Sequence, residues 1–212
     1  MKRALLLAAA AATALSLSAC NKRQEGNTAP ANSAAMNTET GPGQTGPVNA
    51  AQDAMGAAVG ATSAATVGSH DTGAFVDNVV QGNMYEIAAA KIAQQKSAST
   101  DVKDFAKMMV TDHTAMLNEM KPLITKAGKT PPTELDQRRN GLLDNLRAAG
   151  TKDFDKTYID QQVAAHEETL SLLKGYADNG DNADLKAAAT KAVPKVQGHL
   201  DKAKAIQAKL GA

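Results

Sequence analysis

Aromatic residues and cysteines are scarce in this chain of 212 residues, which contains three Phe, three Tyr, no Trp and a single cysteine, Cys20. One cysteine excludes an intrachain disulfide and a thiolate metal site. No stretch combines Lys and Arg with aromatic residues, and 23 basic side chains nearly cancel 22 acidic ones, so we expect no nucleic-acid partner. The few aromatic residues also provide few anchors for a tight protein interface, and any protein partner stays unknown.

The first residues have the pattern of an export signal. A basic start precedes an apolar run that is too short to span a bilayer comfortably, and Leu17–Cys20 follows it. This pattern resembles a bacterial lipoprotein signal, which implies a signal peptide over residues 1–19 and a lipidated Cys20 that holds the protein on a membrane. The alternative is an ordinary secretory leader that is cut near Ala19. By resemblance to enterobacterial sorting rules, Asn21 favours the outer membrane, facing the periplasm.

Residues 20–70 are rich in Ala, Asn, Thr, Gly, Pro and Ser and show no sustained apolar period. Such a composition buries too little apolar surface to offset the entropy of ordering. We therefore predict a flexible low-complexity tether, with no more than a transient helix over Ala50–Val67. About 50 residues at roughly 5–6 Å × √n reach about 40 Å on average, enough to lift a domain clear of lipid headgroups.

Residues 71–212 form one domain in which nothing alternates with period two as a strand would. Apolar periods and capping residues predict four long helices and a shorter one in the middle, over about residues 73–96, 100–127, 134–149, 152–177 and 182–209. The fold class is therefore all-α, a four-helix bundle. A long connection with its own helix favours an up-down-down-up order of the ferritin kind over an up-down-up-down order, which needs only a short loop.

Each long helix carries one polar group on or near its apolar stripe when residues are placed at about 100° each. In chain order these groups are Glu86, His113, His166 and His199. Counted from the turns, Glu86 and His113 are nearly level. His166 and His199 differ by about 7 Å in height, but helical side chains lean toward the N-terminus and reduce this gap, so the pattern allows a shared site without requiring one. Burying such groups without partners costs on the order of 1–3 kcal/mol each. Three interpretations stay open: a bound transition metal, a metal-free hydrogen-bonded cluster, and unrelated positions.

Four segments, one on each long helix, carry a resemblance to a known family: Met84–Ile87, Lys107–Thr114, Phe154–His166 and Pro194–Leu200. Over about residues 75–210 the chain is similar to the ferritin-like bacterial domain of unknown function 4142. The resemblance implies a ferritin-like bundle that is commonly exported and has no established activity.

The polar residues depart from a di-iron pattern. Ferritin-like di-iron sites use a Glu on each of two helices and Glu-x-x-His on each of the other two, but Val110 and Val196 stand three residues before the histidines of the second and fourth long helices. The four polar residues fit one four-coordinate ion of Zn, Cu, Fe or Ni better. Met109 and Met116 flank His113 and would favour Cu(I), although methionine stripes usually fill cores.

The sequence contains no constellation that assigns a catalytic residue. It has no Ser-His-Asp or Cys-His pattern and no Gly-rich loop after a strand. We therefore interpret the protein as a membrane-anchored helical module that binds or senses, with one transition-metal ion in its core. The alternatives are a metal-free structural or protein-interaction bundle and, in third place, a metal-dependent oxidoreductase.

Overall fold

The computed structural model describes residues 46–211, and these residues form six α-helices with no strand among them. The helices are α1 (Gly46–Ala65), α2 (Thr72–Lys96), α3 (Thr100–Lys126), α4 (Gln137–Ala148), α5 (Thr151–Asn179) and α6 (Ala183–Leu210), with a short 3-10 turn at Val67–Ser69. The prediction of an all-helical bundle is confirmed, and the bounds of α2 to α6 agree with those predicted to within three residues. The predicted signal peptide, Cys20 and residues 20–45 of the predicted tether lie outside the described residues.

Side chains and one glycine set the helix ends. The sequence predicts Asp71 or Thr72 as the cap of α2, and the Asp71 carboxylate accepts from the Ala74 N–H at 2.7 Å. The sequence predicts Thr100 as the cap of α3, but the Ser99 side chain caps this helix by accepting from the Val102 N–H. Gly128, with φ of +70°, follows the end of α3, where the left-handed conformation costs glycine least.

The four long helices pack as two hairpins, α2 with α3 and α5 with α6, and the hairpins meet along α2–α5 and α3–α6. Side-chain pairs show that α6 runs antiparallel to α3: Lys191 with Glu119, Lys195 with Asp112, and Lys209 with Asp101. Other pairs show that α2 runs antiparallel to α5: Phe75 stacked on Tyr176, and Tyr85 bonded to Gln161. Helices α2 and α6 therefore point one way, and α3 and α5 the other, with α4 in the connection between the hairpins.

A layer of buried polar residues divides the apolar core into two clusters. One cluster surrounds Phe75, Ile124 and Tyr176, near the ends of the long helices at which the α5–α6 turn lies. The other surrounds Phe105 and Tyr158, toward the opposite ends. On every long helix the predicted polar residue lies between the positions that belong to one cluster and those that belong to the other, or next to that boundary. The three histidines therefore lie at nearly one height of the bundle, with Glu86 at the edge of the second cluster.

Helix α1 lies within the segment predicted to be a tether, so the structure differs from that prediction over residues 46–65. Its Asp53 carboxylate accepts from Asn145 of α4 and Gln161 of α5, each at 2.7 Å. Gly60 lies so close to α5 that a Cβ there would overlap the Glu168 carboxylate. The composition argument fails here for two reasons. Small residues let α1 approach its neighbours closely, and the hydrogen bonds of Asp53 hold it there without bulky apolar side chains. None of the helices over residues 46–211 has both the length and the apolarity needed to cross a membrane.

Candidate metal centre

Three of the four predicted polar residues meet in the polar layer, one from each of α3, α5 and α6. The residues His113, His166 and His199 are 2%, 1% and 3% exposed. Their ring centroids form a nearly equilateral triangle with sides of 5.4–5.6 Å, and one nitrogen of each ring lies within 4.8 Å of those of the other two. Histidines from both hairpins therefore converge on one point.

The tautomer of His113 is set by Asn83 of α2. His113 Nδ1 lies 2.9 Å from Asn83 Oδ1, and Asn83 Nδ2 donates to the Val79 carbonyl at 2.7 Å. The second bond fixes which end of the amide faces the ring, so Nδ1 carries the proton and donates it. His113 Nε2 is then left with a lone pair, and it has no hydrogen-bond partner among the described residues.

His166 and His199 are held in the same manner by other acceptors. His166 Nδ1 lies 2.8 Å from the Gln162 carbonyl, which can only accept, so Nε2 keeps a lone pair. His199 Nε2 lies 2.8 Å from Asp112 Oδ2, so here Nδ1 keeps the lone pair. Lys195 binds the other Asp112 oxygen at 2.7 Å. Neither free histidine nitrogen has a partner within residues 46–211.

The three rings are neutral near pH 7. Burial lowers the pKa of His113 well below its usual value, and the neighbouring His166 and His199 lower it further. Burial lowers the pKa of His166 to about 4. Burial also lowers the pKa of His199, although the Asp112 hydrogen bond opposes this. Partial burial raises the pKa of Asp112, but hydrogen bonds from Lys195 and His199 bring it below its usual range, which keeps its carboxylate ionised.

Glu86, the fourth predicted residue, lies outside the group of converging nitrogens. Its Oε1 is 3.6 Å from His166 Nδ1, the nitrogen on the outer side of the ring. Asn83, and not Glu86, bonds to His113. The α2–α3 turn is centred near residue 98, and residues 83 and 113 are both fifteen positions from it. Glu86 is therefore three residues, nearly one helical turn, from the level of His113. The prediction that the two are level counted residues from an approximate turn position and missed this difference.

Glu86 belongs to a second set of buried polar groups without partners. Burial raises its pKa to about 8, although the nearby Gln162 amide opposes the rise. Neither oxygen makes a hydrogen bond of good geometry among the described residues. The Tyr158 hydroxyl and both amide atoms of Gln162 are also buried and unpartnered there. Burial raises the pKa of Tyr158 well above its usual value, and the charge of Glu86 adds to the rise.

The chain matches a family model described as "Domain of unknown function (DUF4142)" over residues 57–206. The chain belongs to this family. The structure is also similar to a solved structure described as "CopM in the Cu(II)-bound form", with 19% sequence identity and a TM-score of 0.56. That match covers 66% of this chain and 97% of the other. At this identity the likeness shows the fold alone. No curated protein matches the chain.

In this DUF4142 chain the donor set fits a transition-metal ion. Three neutral imidazoles each keep one nitrogen without a partner among the described residues, and imidazole suits Zn, Cu, Fe and Ni. Metal–nitrogen bonds of about 2.0–2.1 Å in a tetrahedral site place nitrogens about 3.4 Å apart. The rings would therefore close by on the order of 1 Å around an ion. Of the predicted flanking methionines, Met109 packs in one core cluster and Met116 against the other.

Sequence reasoning missed the acceptors that orient the histidines. Asp112 precedes His113 in the chain but serves His199 across the α3–α6 contact. No single-helix pattern reveals such a pair, because it depends on how two helices meet. Asn83 had a signal: it lies on the same helix face as Glu86, three residues earlier, and is level with His113 when the turn is counted evenly.

Proposed function

We propose that this protein binds one transition-metal ion through His113 Nε2, His166 Nε2 and His199 Nδ1. One observation carries the proposal: each of these three histidines donates one ring N–H to an acceptor, which leaves its other nitrogen with a lone pair and no partner among the described residues, and the three rings come within 4.8 Å of one another through one nitrogen each. Metal-binding histidines are typically oriented in this way by an acceptor on the other nitrogen. Without an ion or another donor, three buried lone pairs would face one another unsatisfied.

Copper is the metal favoured within this proposal. Among divalent first-row ions, nitrogen sites bind Cu(II) most tightly. The structurally similar protein is described in its Cu(II)-bound form, which supports testing copper first and Zn as the reference. Di-iron chemistry lacks support, since Glu86 is the carboxylate nearest the histidines along α2 and lies on the outer side of His166. The arrangement of the four long helices as a ferritin-like bundle is part of the proposal.

The test compares wild type with two single histidine variants, all purified without a His tag. We expect one Cu(II) ion per chain in wild type, a higher melting temperature with the ion present, and loss of both in His113→Ala. His70→Ala is the matched control, because His70 is exposed and remote in sequence from the centre. Equal binding by wild type and His113→Ala would contradict the proposal. In that event the centre is a metal-free polar cluster, and the only effect of His113→Ala is a lower stability of the metal-free protein.

We propose further that the protein works at the cell envelope, anchored through acylated Cys20. The support is the sequence pattern at Leu17–Cys20 alone. Cys20→Ser should leave the precursor uncut and abolish labelling with a radioactive fatty acid, because serine offers no thiol for lipid transfer. Undiminished labelling of that variant would refute the anchor and leave the metal proposal unaffected.

A further inference from the structure

The histidine centre lies inside the bundle, so an arriving ion must pass other side chains. On the side of α3 and α6 the nearest carboxylate is Asp112, and its two oxygens already accept from His199 and Lys195. The Lys195 side chain is 45% exposed, and its ammonium group repels cations. This side therefore offers an arriving cation a positive charge and no free carboxylate oxygen.

The side of α2 and α5 is different, because it carries oxygen atoms without partners. Tyr158, Gln162 and His166 are spaced four residues apart and share one face of α5. Glu86 of α2 lies against this face, with Oε1 3.6 Å from His166 Nδ1. The oxygens of Tyr158 and Gln162 lie on the helix face that continues to His166, and like those of Glu86 they are buried without a hydrogen bond of good geometry among the described residues. Each of these oxygens can replace water around a cation.

Glu86 also lines a cavity of about 680 Å³ between α1, α2, α4 and α5. Five carboxyl groups and three cationic side chains line this cavity. Two of the cations, Arg138 and Arg139, are both bound to Glu168. The raised pKa of Glu86 leaves its own carboxyl group mainly protonated near pH 7. The other four carboxyl groups still outnumber the three cations, and an acidic concave surface concentrates cations. None of the three histidines lines it, so Glu86 is the side chain that connects the cavity with the centre.

We infer that this cavity is the entry path of the metal ion and that Glu86 passes the ion from the cavity toward the histidines. The inference rests on the proposed function. Successive oxygen donors let an ion lose its hydration water in steps, each bound weakly enough to release it. Glu86 lies at the outer nitrogen of His166 and not at a free lone pair, so it acts on the rates of entry and release. It contributes little to the final affinity.

The test measures rates and affinity on the full-length protein by mixing metal-free protein with Cu(II) and, separately, loaded protein with EDTA. Glu86→Leu keeps the side-chain size and removes both oxygens. We expect association and release to slow together by about tenfold or more, with Kd changed by less than about threefold, because a path alters both rates alike. Glu86→Gln retains one oxygen and should recover part of the rate.

The cavity itself is tested with a matched pair of substitutions on α1. Ala54 lines the cavity and Ala58 does not, and both are exposed. Ala54→Trp should slow association and Ala58→Trp should leave it unchanged. Unchanged rates in Ala54→Trp and Glu86→Leu, with faster association in Lys195→Ala, would overturn the inference and place entry at Asp112.

Equilibrium measurements separate this inference from the proposed function. A Kd that weakens in Glu86→Leu at an unchanged association rate would make Glu86 a ligand and overturn its role in entry. A different result is that wild type binds one ion and His113→Ala none while the rates of Glu86→Leu equal those of wild type. That result would refute the entry path and still support the metal centre.

Discussion

Replacing Asn83 by Leu should impair metal binding without touching a ligand. Asn83 is 4% exposed, and its Oδ1 accepts from His113 Nδ1 at 2.9 Å. Leucine has a similar volume but no acceptor, so the buried Nδ1–H of His113 loses its partner and the ring is free to adopt the other tautomer. In that tautomer the proton occupies Nε2, where the lone pair for the metal had been.

The structure sets the size of two expected effects. A buried N–H without a partner costs about 1–3 kcal/mol, and the added apolar surface of leucine offsets part of it, so the free energy of unfolding of the metal-free protein should fall by about 1 kcal/mol. Loss of the partner on a metal-bound histidine lowers affinity by roughly 10- to 100-fold, which corresponds to about 1.4–2.7 kcal/mol.

Denaturant unfolding of the metal-free protein and competition against a chelator of known affinity measure these two effects. Asn78→Leu is a close control, because Asn78 donates to the carbonyl four residues earlier at 2.9 Å, as Asn83 does at 2.7 Å. No hydrogen bond joins Asn78 to a histidine. Affinity in Asn83→Leu equal to wild type, or an equal loss in both variants, would refute the reasoning about the tautomer.

Three other outcomes are expected. Because burial lowers the pKa of His166 from 6.5 to about 4, the metal-free protein should lose stability as the pH falls from about 6.5 toward 4; denaturant midpoints that stay constant over this range would contradict it. Because burial raises the pKa of Glu86 from 4.5 to about 8, its contribution is complete below pH 4.5 and is lost as the pH rises through about 8. Glu86→Gln should remove that second loss, measured by the same midpoints. Gly60→Ala should loosen α1, since the added methyl overlaps the Glu168 carboxylate; limited proteolysis should then cleave residues 46–65 sooner than in wild type, and equal cleavage would count against the close contact.

The long helices could be predicted because their signals are local. Asp71, Asp101 and Gly128 mark ends through capping, charge and backbone conformation, and the apolar period between them requires no knowledge of the partner helix. Helix α1 lacked such signals. Its contacts depend on Gly60 and Asp53 meeting residues of α4 and α5, and composition alone does not contain that information.

The candidate site was predictable as far as helix faces reach. Assigning residues to the interior face of each helix identified the three histidines that converge, since each falls on or near an apolar stripe. The height of Glu86 was less accurate, because it is about one turn from the level of His113. The ring centroids of His166 and His199 lie 5.5 Å apart, which agrees with the expectation that side-chain direction reduces their offset of about 7 Å. Height depends on turn length and on side-chain direction, and a pattern along one helix fixes neither.

The histidines belong to different hairpins, since His113 lies on α3 whereas His166 and His199 lie on α5 and α6. An ion held by all three would cross-link the hairpins and close a loop of about 50 residues, a constraint worth about 4 kcal/mol in the chain-entropy model used for disulfides. The two hairpins would then unfold as one unit, and a chelator would let them open separately. A chain whose single cysteine rules out an internal disulfide would gain in this way a cross-link that the supply of metal makes and removes.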